Sequence, residues 1–161
     1  MLQARHILVA DPTPHMAGLI ATMLRSIGAQ AIATVNEGPA LLLALKRTPF
    51  TALVLNDRLG SVDAVDLVRQ IRAGEPEDAC LPIVMLFSEA SKSRIEEARD
   101  AGVTEFLRKP LSATVLEARL AQAIQHPRPA IHADSYTGPD RRRRAAAAPT
   151  RRRRSDGPTA A

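Results

Sequence analysis

Two groups of residues in this chain could do chemistry. The first is Asp11, with Pro12 beside it, then Asn56 and Asp57, Phe87 and Ser88, and Lys109, each directly following a short apolar run. If those runs are neighbouring parallel strands, these residues meet at the carboxyl edge of one sheet, where open α/β sheets place their sites. Acids gathered there are the kind of group a hard cation such as Mg²⁺ wants, since it takes clustered oxygen ligands.

The second group is cationic. Arg141, Arg142, Arg143 and Arg144 follow Asp140, and Arg151, Arg152, Arg153 and Arg154 precede Asp156, with Tyr136 just upstream. Neither block contains lysine. Arginine alone points to planar recognition, because its guanidinium forks onto two acceptors and stacks on flat rings. It pairs with guanine O6 and N7 and covers the base face. The remaining guanine edge carries N–H donors, which the carboxylates of Asp140 and Asp156 can accept. A ligand with two guanines and two phosphates uses both blocks, and cyclic di-GMP is such a ligand.

The charge is placed to match. From Pro127 onward the chain has nine Arg and three Asp, a net of +6, whereas residues 1–126 are nearly neutral. An anionic partner is therefore expected at the tail. Hydrophobic content of 45% supports a core, built from aliphatic residues because aromatics are 2%. The single cysteine, Cys80, has no internal disulfide partner, and the first apolar run breaks at Asp11, too short for a signal peptide or a membrane span. A cytoplasmic protein without membrane insertion is expected.

Residues 1–126 alternate strand and helix signals. Apolar runs at 6–10, 31–35, 52–55, 81–87 and 105–107 read as strands. Helical spacing at 16–27, 40–45, 65–71, 91–101 and 113–124 reads as helices, with Gly28, Gly74 and Gly102 as stops. Five β-α pairs with continuously apolar strands predict a (βα)5 doubly wound parallel five-stranded α/β sheet. From Pro127 the composition turns to Pro, Ala and Arg, and a disordered C-terminal tail, 127–161, is expected.

Over roughly residues 5–125 the sequence resembles the receiver domains of response regulators, of the CheY type, on the strength of Ile7-Leu8-Val9-Ala10-Asp11, Leu53-Val54-Leu55-Asn56, Leu81-Pro82-Ile83-Val84-Met85-Leu86, Asp100-Ala101-Gly102-Val103 and Lys109-Pro110-Leu111. The resemblance implies a flavodoxin-like fold, a cis Lys109–Pro110 bond, and a pocket of two acids, an acceptor Asp, a hydroxyl and the lysine. The pocket is degenerate. Pro12 takes the second acidic position, the acceptor position counted back from Asp63 falls on Asn56, and the hydroxyl position falls on Phe87. Asn forms no acyl phosphate, Pro offers Mg²⁺ no side-chain ligand, and no catalytic residue or enzymatic activity is expected.

The chain also resembles the CheY-like cyclic di-GMP effectors (Cle proteins), carried by the Tyr-x-Gly-Pro-Asp-Arg-Arg-Arg-Arg string at 136–144 and the second arginine block. That likeness implies a phosphorylation-independent effector acting at the flagellar motor switch. The expected docking face comprises Arg99, Phe106, Arg108 and Leu111, with recruitment to the motor at the inner membrane face. Two alternatives stay open. One is a basic arm for RNA or DNA, which any arginine run can bind. The other is a one-residue shift that makes Asp57 the phosphoacceptor with Ser88 as its hydroxyl.

Overall fold

Strands β3 (Ala52–Asn56) and β6 (Ile83–Phe87) are buried at every position, and β1 (His6–Ala10) at all but its first. Only a sheet covered on both faces buries consecutive residues in this way. The structure is a computed structural model that describes residues 5–126, and the backbone of 130–133 and 136–139. β1, β3 and β6 form the middle of a five-stranded sheet in the order β2-β1-β3-β6-β7, closed by β2 (Ala31–Val35) and β7 (Glu105–Arg108). Every pairing in it is parallel. This is the expected doubly wound fold.

The helices cover the sheet in two layers. Helices α1 (Pro14–Ser26) and α6 (Ala113–Gln125) bury Ile20, Leu24, Leu116 and Leu120 against Ile7, Val9, Val54, Val84 and Leu86. Helices α2 (Gly38–Arg47), α3 (Ala64–Ala73) and α5 (Lys92–Ala101) cover the other face, where Leu41, Val65, Val68 and Ala98 meet Leu8, Leu53, Leu55, Ile83 and Met85. Alternate residues of one strand thus feed opposite cores, as the two-residue period of a strand requires.

Helix ends follow local chemistry. Asp63, Ser91 and Ser112 cap α3, α5 and α6 by accepting from Val65, Arg94 and Val115 N–H. Gly102 ends α5 at φ 113°, a left-handed conformation that favours glycine.

Three features go beyond the sequence expectation. Strands β4 (Arg58–Leu59) and β5 (Val62–Asp63) form a small antiparallel hairpin, with Gly60 at φ 65° in its turn. A single turn, α4 (Pro76–Ala79), follows α3. Both are too short for hydrophobic periodicity to reveal. Within the stretch expected to lack regular structure, β8 (Ala130–Ala133) and β9 (Tyr136–Pro139) pair antiparallel. Ile131, Tyr136 and Thr137 are residue types that favour strands.

Leu53 is fully buried on β3, in the centre of the sheet. Leu53→Ala is expected to lower unfolding stability by about 2–5 kcal/mol. Urea denaturation checks this, and a cost under about 1 kcal/mol would contradict the packing described.

Candidate functional site

The strand order reverses direction between β1 and β3, and their carboxyl ends bring Asp11 and Asn56 to the same edge. Backbone bonds extend the ladder past the strands. Asp11 N–H donates to Val35 O at 3.2 Å, Asp57 N–H to Leu86 O at 2.9 Å, and Lys109 N–H to Phe87 O at 2.7 Å. These bonds set the registers from which the side chains project.

Lys109 reaches back across that edge. Its Nζ donates to Asn56 Oδ1 at 2.7 Å and to Asp11 Oδ2 at 3.1 Å. Asp11 is 2% exposed and Asn56 8%, so the ammonium and carboxylate are paired largely away from water. The other Asp11 oxygen accepts from Thr13 N–H at 2.9 Å. Asn56 Nδ2 donates to Arg58 O at 2.9 Å. Both neighbours of the Asn56 amide demand the same orientation: oxygen toward the lysine, nitrogen toward the carbonyl. A carboxylate at position 56 would set an oxygen against the Arg58 oxygen.

Lys109 therefore meets Asn56, and Asp57 lies elsewhere. Asp57 is half-buried and lines an open cleft of about 930 Å³ with Ser91, Arg94, Phe106 and Arg108. The slip of one residue turns the side chain away from the lysine. Phe87 is 2% exposed and its ring contacts that of Phe106, with centroids 5.9 Å apart, while Ser88 is exposed. Pro12 contributes no side-chain ligand at this edge. The Lys109–Pro110 peptide bond is cis, as the resemblance implies.

Sequence reasoning missed a second polar cluster. Arg94, in the first turn of α5, donates to Asp63 Oδ1 at 2.6 Å, to Glu97 Oε2 at 2.9 Å and to Asp57 O at 3.4 Å. Burial alone would raise the Asp63 carboxyl, but the bonds from Arg94 and from Val65 N–H outweigh it and hold the carboxyl below its ordinary range. The Asp63 bond in turn raises the guanidinium of Arg94. The helix around Glu96, Glu97 and Arg99 reads in sequence as a solvated face, and only three dimensions bring Asp63 to it. Of the expected docking residues, Arg99 and Arg108 are exposed. Phe106 packs on the α3–α5 layer and Leu111 on the α1–α6 layer, on either side of the edge strand β7. Asp140, Asp156 and both arginine blocks lie outside the described residues. Tyr136 opens β9 opposite Ala133.

Residues 7–121 match the response regulator receiver domain. The chain belongs to that family. It is 32% identical over 114 residues to Chemotaxis protein CheY-3 of Vibrio cholerae, covering 71% of this chain and 87% of that one. Chemotaxis protein CheY of Pseudomonas aeruginosa is 31% identical over 119 residues, covering 74% and 95%. The receiver domain of the Pseudomonas aeruginosa sensor histidine kinase PA1611, solved with a magnesium ion coordinated in its active-site cleft, superposes with a TM-score of 0.68 at 27% identity, over 75% of this chain and 98% of that one. The chain is thus a receiver of the CheY type, a class of signalling domain, and no helix among its described residues is long and apolar enough to cross a membrane.

The residues here do not fit a magnesium ion at this edge. Asp11 is a single carboxylate already bonded to Lys109 and Thr13, and Asn56 turns an N–H toward the Arg58 carbonyl. Among the described residues no three His, Cys, Asp or Glu side chains are grouped to hold a metal. The pocket is satisfied by protein atoms alone.

Removing one partner of a buried ion pair leaves the other charge uncompensated. Lys109→Met is expected to destabilise the fold by about 3 kcal/mol. Adding Asp11→Asn to that variant is expected to recover part of the loss, because the stranded charge is gone. Denaturant unfolding of the two variants checks the sign of the coupling, and additive losses would show that the pair contributes little.

Proposed function

We propose that this receiver takes its input through the arginine-rich tail and not through phosphorylation. The ligand is cyclic di-GMP, bound by residues drawn from Tyr136, Asp140, the 141–144 and 151–154 arginine blocks and Asp156. The output is docking on a protein partner, the flagellar motor switch, through the face that carries Arg99, Phe106, Arg108 and Leu111. The observation that carries the reading is the Asn56 amide seated on Lys109 at 2.7 Å. The acceptor position holds a group that forms no acyl phosphate, and its lysine is already engaged. A signalling domain without that input needs another, and the tail is the part of the chain with recognition chemistry of its own.

Arginine without lysine, flanked by aspartates, supports guanine over a bare polyanion, since neighbouring carboxylates weaken phosphate-backbone binding. Likeness to two chemotaxis proteins supports a motility partner. In this division residues 1–126 form the receiver and 127–161 the ligand-binding tail, which orders around the messenger and gains a switch at some cost in affinity. The cell compartment is the cytoplasm, with recruitment to the motor.

Calorimetric titration of cyclic di-GMP into the full chain at near-physiological salt is the test. Binding that survives competition by GTP and short RNA, and is lost when Arg141, Arg142, Arg143 and Arg144 are changed to Ala, is the expected result. Absence of binding, or displacement by any polyanion with steep salt dependence, would replace the proposal with a nucleic-acid arm. In parallel, acetyl phosphate with Mg²⁺ is expected to leave the wild-type mass unchanged. Labelling that disappears in Asp57→Ala would make Asp57 a phosphoacceptor and overturn the phosphorylation-independent reading.

A further inference from the structure

We infer that Arg94 is a positioning residue that fixes helix α5 and, with it, the α5–β7 face in a preset arrangement. The inference does not depend on the tail or its ligand. Helix α5 has little apolar anchorage. Its buried residues are Ala98 and Ala101, whose methyl groups bury little apolar area. Its position therefore leans on polar ties to α3: at its C-terminal end the buried Arg72 donates twice to the Gly102 carbonyl, at 2.8 and 3.2 Å, and toward its N-terminus two ion pairs reach it that differ in kind. Arg69–Glu97 joins the two helices at 3.3 Å with both side chains about half exposed, at 51% and 44%, where water and entropy cancel most of the gain. Arg94–Asp63 is 2.6 Å long with side chains 20% and 32% exposed.

The shielded pair also does more than join two helices. Asp63 Oδ1 caps α3 by accepting from Val65 N–H at 2.8 Å while it accepts from Arg94. The same guanidinium nitrogen reaches the Asp57 carbonyl. One residue to either side of that carbonyl, Asn56 bonds Lys109 and the Arg58 carbonyl receives the Asn56 amide. The segment 56–63 is thus held from below by Lys109 and from the side by Arg94. A planar guanidinium suits the task, because its fork offers several donors in fixed directions. Movement of α5 would have to break this tie, and the degenerate pocket supplies no phosphoryl group to compensate. The α5–β7 face is accordingly presented in one arrangement, ready for a partner without prior activation.

Amide hydrogen exchange on the full chain tests the inference, with Arg94→Met, Asp63→Asn and Arg69→Met compared with wild type. Asparagine still caps a helix, so Asp63→Asn removes the ion pair and spares the N-terminus of α3. Exchange in α5 and β7 is expected to rise about tenfold in Arg94→Met and in Asp63→Asn, with no further rise in the double variant and no change in α1 or α6. Arg69→Met is expected to change α5 by less than about twofold. Unchanged α5 exchange in both Arg94→Met and Asp63→Asn would overturn the inference. An equal effect from Arg69→Met would overturn it too, since any helix-bridging charge would then serve.

Discussion

The constraint on which this structure turns is the half-buried ammonium of Lys109, held against the buried Asp11. An amine at the carboxyl edge of a parallel sheet needs compensation, because a charge removed from water without a partner costs several kcal/mol. Here the compensation comes from one carboxylate, Asp11, and one amide oxygen, Asn56. That is enough for one cation and leaves no negative charge over. A phosphoryl-transfer pocket works on the opposite balance, an excess of acid that draws in a metal and then a phosphate. With Pro12 and Asn56 in place of acids, Lys109 has no competitor, and the group that could have served chemistry is tied into the structure.

The fold makes that balance possible by geometry alone. Strands β1 and β3 are adjacent and parallel, so their next residues, Asp11 and the β3 terminus, point to one edge. β7 lies two strands beyond β3, at the sheet edge, and Lys109 has to span back over β6. Its four-carbon stem covers that distance while the ammonium stays within 3.1 Å of both partners. Phe87, at the end of β6, is buried and meets Phe106 with its ring tilted. Its ring adds apolar surface where a hydroxyl would have offered a polar contact. The lysine, the amide and the ring fit together as a pocket filled by its own side chains.

Much of this was legible in the sequence because the signals are local. Continuous apolar runs gave β1, β3 and β6, and their ends gave the candidate site. Spacing from Asp63 assigned position 56, and Asp63 does cap α3. The short hairpin from Arg58 to Asp63 and the single turn at 76–79 carried no readable period, being two to four residues long. The Arg94–Asp63 contact was out of reach for a different reason. Its partners are 31 positions apart, each has a sufficient local role, as a helix surface arginine and as a helix cap, and nothing in a single sequence links them.

Helix α5 shows how a loss in one place can be absorbed in another. Under the proposed phosphorylation-independent reading, a mobile α5 would confer no control and would only dilute the conformer able to bind. Any population of alternative positions lowers apparent partner affinity by the competent fraction. A tie from Arg94 to the segment beside the pocket removes that dilution. Under the proposed reading, control then lies in whether the tail is loaded, and the receiver body contributes a constant surface. A near-neutral globule suits that part. Several of its charges are paired within it, as in Lys109–Asp11, Arg94–Asp63 and Arg119–Glu105, while the unbalanced charge of the chain stands after Pro127, where the proposed doubly anionic ligand would be met.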